Sequence, residues 1–318
     1  MKNKFALISA LCALFVLIFA SEQVISASRY ALSVCAELIL PSLFPFFVLS
    51  ILLSKLGLPY YLDKLLGPAA SRLFSVSGAG ISAFFIGISG GYPLGASYIS
   101  QIYESKIIDR QEAERLLAFC NNSGPAFIVG AVGSGVFSSA KIGILLYMVH
   151  IISALIVGLC MRKKSSYSAS AHPQAPTLSF SAALPEAVRQ AVISVLNVCG
   201  FVVCFTVFTG LLDANGFLSA MANGLSALTG FESQWSRAAL SGLFELGSAA
   251  GMMRGLEAIP INVSLAAAIL GWGGISVHFQ TMALISDTDI KSTLHFAGRF
   301  LSALFSAILA YIAALLLA

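Results

Sequence analysis

The chain has 318 residues, a net charge of +4, 58% hydrophobic residues and only 10% charged ones. A soluble domain carries about 25% charged residues, so this composition excludes an ordinary soluble protein. No basic patch is interleaved with aromatics, which argues against a nucleic-acid partner. Apolar stretches close to the ~20 residues of a bilayer span recur along the whole chain. The reading is an all-α polytopic membrane protein with the lipid bilayer as its first partner.

Taken in chain order, Met1–Lys4 is basic and Phe5–Ala20 is apolar. Small residues follow at Ser26–Ser28, so residues 1–28 read either as a signal peptide or as an uncleaved first span, the second being preferred. Further apolar runs are Tyr30–Leu56, Ser75–Ile99, Leu116–Phe137 and Ile142–Met161. The stretch "RKKSSYSASAHPQAPTLSFSA" follows, basic and then rich in Ser, Ala and Pro. It cannot bury a core, and residues 162–186 read as a linker. Beyond it lie Val188–Leu212, Phe217–Leu228, Ala238–Met253, Ile261–Ile285 and Leu294–Leu317.

Charge orients these runs. Lys2 and Lys4 precede the first run, and Arg162, Lys163 and Lys164 follow the fifth. The positive-inside rule places both clusters in the cytoplasm, which makes this a multi-pass protein of the cell membrane with its N-terminus and its 162–186 linker inside. Two cytoplasmic ends need an even number of crossings, yet five runs lie between them. One run must enter and leave on the same face. Leu116–Phe137 is the expected hairpin, because "NNSGP" interrupts it and irregular backbone at membrane depth must be buried in protein or face water. The near-neutral stretch "ESKIIDRQEAERLLAF" before it then reads as extracytoplasmic, with Lys106 outside. The rival explanation is that one run is not inserted, or that Lys141 distorts the count.

The two halves share an order of elements. "FFIGISGGYPLGAS" (Phe84–Ser97) matches "GLFELGSAAGMM" (Gly242–Met253) in character, both being glycine-broken. "CNNSGPAFIVGAV" answers "LGWGGISVHFQTM" (Leu270–Met282), and each half closes with a plain span. With Phe5–Ala20 and Phe217–Leu228 set aside, each half has three crossings and one re-entrant hairpin. Three is odd, so the second half is inverted. Inverted repeats with broken helices place a binding site where the breaks meet. Close packing of small residues is the alternative explanation for the glycines.

Ionisable groups inside apolar runs are costly and mark function by default. Glu37 qualifies as an intramembrane carboxylate, or lies at the interface near a span's end. Glu245 sits beside a glycine break, suited to binding a cation or a polar solute, or to capping a helix. Asn121, Asn122 and Ser123 offer hydrogen bonds at the first tip, while Ser276, His278 and Gln280 do so at the second. Gly90, Gly91, Tyr92, Pro93, Gly124, Pro125, Gly273 and Gly274 form the helix breaks. Six cysteines lie in apolar runs without a CxxC pair and read as small buried hydrophobes. The four histidines lack metal-ligand spacing, so no metal or cofactor is expected. Without a nucleophile–base pair, P-loop or HExxH, no enzyme is expected either.

"ISGGYPLGA", "ERLLAFCNNSGPAFIVGAV" and "GLFELGSAAG" resemble the signatures of the YlbJ-type sporulation integral membrane proteins, which contain nucleoside-recognition (Gate) domains. The resemblance runs from about Arg29 to the end. It implies a first Gate-like repeat over 29–161 and a second, inverted one over 187–318. It implies a role in forming the spore cortex. It also implies a likeness in style to concentrative nucleoside transporters, which use re-entrant hairpins and broken helices. A small polar solute, nucleoside-like or cell-wall-related, and a coupling cation would be the partners, with a homo-oligomer compatible. The alternative is a non-transporting assembly protein of the developing spore membrane.

Overall fold

A computed structural model of the chain describes residues 2–163 and 178–317. The expected linker's centre, with Lys164 and Ser166, lies outside the described residues. After α1 (Lys2–Phe19), α2 (Ser21–Val34) leads through a π turn at Cys35–Ile39 into α3 (Leu40–Lys55). Pro41 has no N–H to give the carbonyl one turn back. The helix widens just there, and Leu40 N–H reaches the Cys35 carbonyl. Ser21–Lys55 is still one apolar helix of 35 residues.

α4 (Leu58–Phe74) meets α5 (Gly78–Gly90) at 96°. Then come α6 (Leu94–Glu104), α7 (Arg110–Phe119), a π-helical segment (Ala126–Ser134) and α8 (Ala140–Cys160). The second half repeats this order. A 35-residue helix, α9 (Phe180–Ala214), precedes a short one, α10 (Phe217–Thr229). α11 (Ser233–Phe244) and α12 (Leu246–Met252) flank Glu245, α13 (Pro260–Trp272) and α14 (Gly274–Leu284) flank Gly273, and α15 (Thr293–Leu317) closes the chain. Two expectations need correcting. Residues 180–186 are the first turns of α9 rather than linker. Phe217–Leu228 is not peripheral to the repeat, because α10 stands where α4 stands in the first half.

α2–α3 and α9 form the spine. Tyr30 and Thr206 share one cavity, Cys35 Sγ lies 3.9 Å from the Cys199 carbonyl, and Lys55 pairs with Glu186 at 3.8 Å. Rising numbers on one helix meet falling numbers on the other, so the first helices of the two repeats are antiparallel. The repeat is inverted, as its odd number of crossings requires. At 1.5 Å per residue each spine helix is about 50 Å long, against ~30 Å of hydrocarbon, so both outreach the bilayer core.

The hairpins fall elsewhere than expected. Ser77 N–H donates to Glu112 Oε1 at 2.6 Å, and a Cβ on Gly91 would lie 2.6 Å from Gly124 N. α5 therefore runs parallel to α7. α6 runs back, since Ala96 N–H reaches Asn121 Oδ1 at 3.4 Å after Gly91 has met Gly124. So α5 and α6 are the re-entrant pair, with the tip at Gly90–Pro93. Thirteen residues of α5 reach only about 20 Å, short of the far side. Gln234 on α11 likewise meets the Met252 carbonyl at the end of α12, which makes Glu245 the second tip.

"NNSGP" and "GWGG", expected as hairpin tips, instead break crossing helices. His150 of α8 lies at Ser123, and Gly143 lies against Val129 and Gly133, so α8 runs antiparallel to a continuous course from α7 into the π segment. Pro260–Leu284 likewise forms one 25-residue apolar span. The parity argument needed one re-entrant run among five; the run that satisfies it is Ser75–Ile99. The connection holding Lys106 then lies at the same end of the bundle as Arg162. Asp109, Arg110 and Arg162 line one cavity there, so it is not on the opposite face.

Candidate functional site

All four breaks meet. Gly91 (φ 86°) passes so close to Gly124 that no side chain fits between them. Tyr92 donates its hydroxyl to the Leu270 carbonyl at 3.0 Å, which ties the first hairpin to the break at Gly273. Asn121 Nδ2 donates to Thr281 Oγ1 at 2.7 Å, joining the two broken crossings. A Cβ on Gly274 (φ 81°) would lie 3.0 Å from the Phe244 carbonyl, so the second hairpin rests against the same break.

At the centre is a cavity of about 50 Å³. Tyr92, Ser123, Glu245, Ser276 and Gln280 line it, along with Gly91, Gly124 and apolar residues of the spine such as Leu43 and Val202. Glu245 is the N-cap of α12 and accepts from the N–H groups of Gly247 (2.8 Å) and Ser248 (2.5 Å). A carboxylate at a helix N-terminus is stabilised by the free N–H groups and the helix dipole. Gln280 Nε2 reaches Ser276 Oγ at 3.4 Å, whereas Gln280 Oε1 and Ser123 Oγ are buried without a partner. Several buried side-chain atoms of the bundle lack a partner, and these two belong to residues around one small space.

The remaining expected residues are turned into the protein. Asn121, Asn122 and His278 do not line the cavity. Asn122 Nδ2 caps the Phe119 carbonyl at 2.7 Å, and its Oδ1 accepts from Arg299 Nη2 at 3.3 Å. Arg299 also donates to the Ala118 carbonyl at 3.3 Å, and His295 Nδ1 donates to the Leu117 carbonyl at 3.1 Å. Three successive carbonyls at the end of α7 are thus satisfied, two of them by α15. Because His295 Nδ1 must carry a proton, its Nε2 in the neutral ring accepts from His278 Nδ1 at 2.9 Å. His278 therefore acts through His295 as a prop for α7.

His295 and Arg299 are not among the expected site residues, because α15 looks like a plain span in sequence. The signal was present: His295, Arg299, Ser302 and Ser306 recur at helical spacing, and all are buried on one face. Glu37 lies close to the middle of Ser21–Lys55 rather than near a span's end, and it faces out of the bundle. Cys12, Cys160 and Cys204 are exposed, so only some of the cysteines are buried hydrophobes.

Two larger cavities flank the central one along the seam between the spine helices. One of about 700 Å³ opens beside Tyr30, Thr206, Asp213 and Ser248. The other, about 250 Å³, lies toward the opposite end beside Ser50, Lys55, Gln190 and Asn197.

An inverted, all-helical membrane bundle in which two hairpins meet two broken crossings defines a class of integral membrane protein. The model of the family described as nucleoside recognition, Gate, matches residues 36–160, which run from the π turn to the end of α8. The sporulation integral membrane protein YlbJ of Bacillus subtilis (strain 168) is 32% identical over 307 residues, 89% of this chain and 75% of that protein. The chain belongs to this family of sporulation integral membrane proteins. No solved structure matches it.

Proposed function

We propose that the chain carries a small polar solute across the membrane of the developing spore, in a step that cortex formation requires. The observation that carries this reading is the row of three cavities along one seam, narrowest where the four breaks meet and where Glu245, Ser123, Ser276 and Gln280 gather. Ligand sites for drug-sized molecules span ~300–1,000 Å³, so the central space of about 50 Å³ is an occluded arrangement. A nucleoside-like or cell-wall-related solute enters when one hairpin withdraws. Each hairpin comes from its own end, which gives the two gates that alternating access needs. The Glu245 carboxylate is the group for a coupling cation, and no chemical step on the solute is part of this reading.

The end carrying Lys55, Lys106, Arg110, Arg162, Lys163 and Lys291 is richer in cations than the end carrying Lys141, Arg237 and Arg254. We assign it to the cytoplasm. α1 as a span then puts the N-terminus on the same side as residues 162–186. Single cysteines at Lys106 and Ser166 are both protected from an impermeant label outside intact cells; labelling of either reverses the assignment. A homo-oligomer would cover the outward carboxylate of Glu37.

The direct test is a panel of nucleosides and cell-wall precursors offered to the protein in reconstituted vesicles, together with cortex staining in sporulating cells. Glu245→Gln inserts and folds but loses both solute uptake and cortex. Wild-type behaviour of that variant in both assays removes Glu245 from the site. A second reading, an assembly protein without transport, draws on the dry packing of Asn121, Asn122 and His278. It predicts no uptake of any solute while cortex formation still depends on the intact bundle.

A further inference from the structure

A fourth cavity, away from the four breaks, lies at the cationic end of the bundle between the start of α7 and the end of α8. It measures about 830 Å³, and Arg110, Arg115, Arg162 and Lys163 all line it. We propose that it binds a phosphate-bearing anion.

Arg115 carries the argument. It is only 4% exposed, yet its Nε and Nη1 are buried with no partner. Its Nη2 donates to the Ser75 carbonyl at 3.0 Å, and Arg162 Nε lies 3.3 Å from Ser75 Oγ. Ser75 is the left-handed C-cap of α4, so one residue anchors two guanidinium groups beside the same space. Asp109 and Glu114 share the cavity's lining and Glu112 feels the charge of Arg115, but all three accept hydrogen bonds from groups other than Arg115. Asp109 caps α7 by accepting from Glu112 N–H, and Glu112 accepts from Ser77 N–H. Glu114 takes Arg110 at 2.7 Å and Lys291 N–H at 3.2 Å. Arg110 also meets Asp289 at 3.5 Å. Among the described residues no carboxylate lies within 4.0 Å of Arg115, Arg162 or Lys163.

An acceptor from outside the chain fits this surplus of donors. The guanidinium fork matches the oxygens of phosphate, and Lys163 adds a third cation to Arg115 and Arg162, whereas Arg110 is already neutralised by Glu114 and Asp289. The cavity exceeds a bare phosphate, so the anion is one carried on a larger body. Its source is either the headgroup of an anionic phospholipid or a soluble phosphate ester. The exposed Cys160 at the end of α8 lines the same space.

The test uses the full chain in detergent and in nanodiscs. Two probes separate the sources: inorganic pyrophosphate, and phosphatidylglycerol set against phosphatidylcholine. Wild type retains phosphatidylglycerol through delipidation, or is stabilised against heat by pyrophosphate, and either effect fades with added salt. The paired variant Arg162→Gln, Lys163→Gln leaves the buried Arg115 in place and weakens that binding by about tenfold or more. Retention of the lipid alone assigns the headgroup, and stabilisation by pyrophosphate alone assigns a soluble ester. Binding of neither probe, or unchanged binding by the paired variant, overturns the proposal.

Discussion

The break at "NNSGP" and the break at Glu245 solve one problem in opposite ways. Each ends a helix inside the membrane and leaves backbone groups that need partners. At the first, bare carbonyls at the end of α7 are met by a cation and a histidine from α15, and Asn121 and Asn122 are turned away from the cavity. At the second, bare N–H groups at the start of α12 are met by a carboxylate from the break itself, and the space beside it stays open. Each charge has the sign its helix end favours. The difference lies in where the partner comes from. A partner lent by another helix locks two helices together, while one carried by the break leaves its hairpin freer to move.

Four substitutions bear on that contrast. The largest effect belongs to Arg299→Ala. It strips the Ala118 carbonyl and Asn122 of their donor and leaves a hole, costing roughly 2–5 kcal/mol; thermal unfolding in detergent measures it, and a wild-type midpoint would show that α15 does not lock α7. Gly91→Ala comes next, at roughly 1–3 kcal/mol. Its Cβ has no room beside Gly124 and its φ is positive, so insertion yield and thermal midpoint both fall. Glu245→Gln keeps the shape of the cap but not its charge, costing about 1 kcal/mol; a loss as large as that of Arg299→Ala would mean that Glu245 is mainly structural. Ser123→Ala is the mildest, within about 0.5 kcal/mol, because Ser123 Oγ has no partner to lose. A change in solute binding by that variant without a change in midpoint isolates the cavity's role.

Much of this was legible in the letters. Glycine and proline inside apolar runs located all four breaks, and the charge count required a re-entrant run between the two basic clusters. Which run it was did not follow. Parity counts crossings but cannot name them, and the polar tip of "NNSGP" drew attention from "SGGYP". Only the parallel course of α5 and α7, set by Ser77 with Glu112 and Gly91 with Gly124, decides it. α4 is not legible in the letters, because Leu58–Phe74 mixes Tyr, Lys, Asp and Pro with apolar residues and has no span-like run. Among the site residues, composition marked Asn121, Asn122 and Ser123 alike. Rotation about the α7 end turned two of them inward and left one at the cavity.

The hydrogen bonds that gather the breaks reach far along the chain. Tyr92 waits 178 residues for Leu270, Asn121 waits 160 for Thr281, and the Ala118 carbonyl waits 181 for Arg299. During synthesis the first repeat therefore enters the bilayer with the Tyr92 hydroxyl, the Asn121 amide N–H and the Ala118 carbonyl still lacking these partners, while Ala96, Phe119 and His150 already serve Asn121, Asn122 and Ser123 from within it. Because such non-local contacts form late, the nascent first half is an unfinished, vulnerable intermediate until α15 emerges. The window of exposure runs from the completion of α8 to that of α15, and a chain ending inside it would keep those polar groups without their partners.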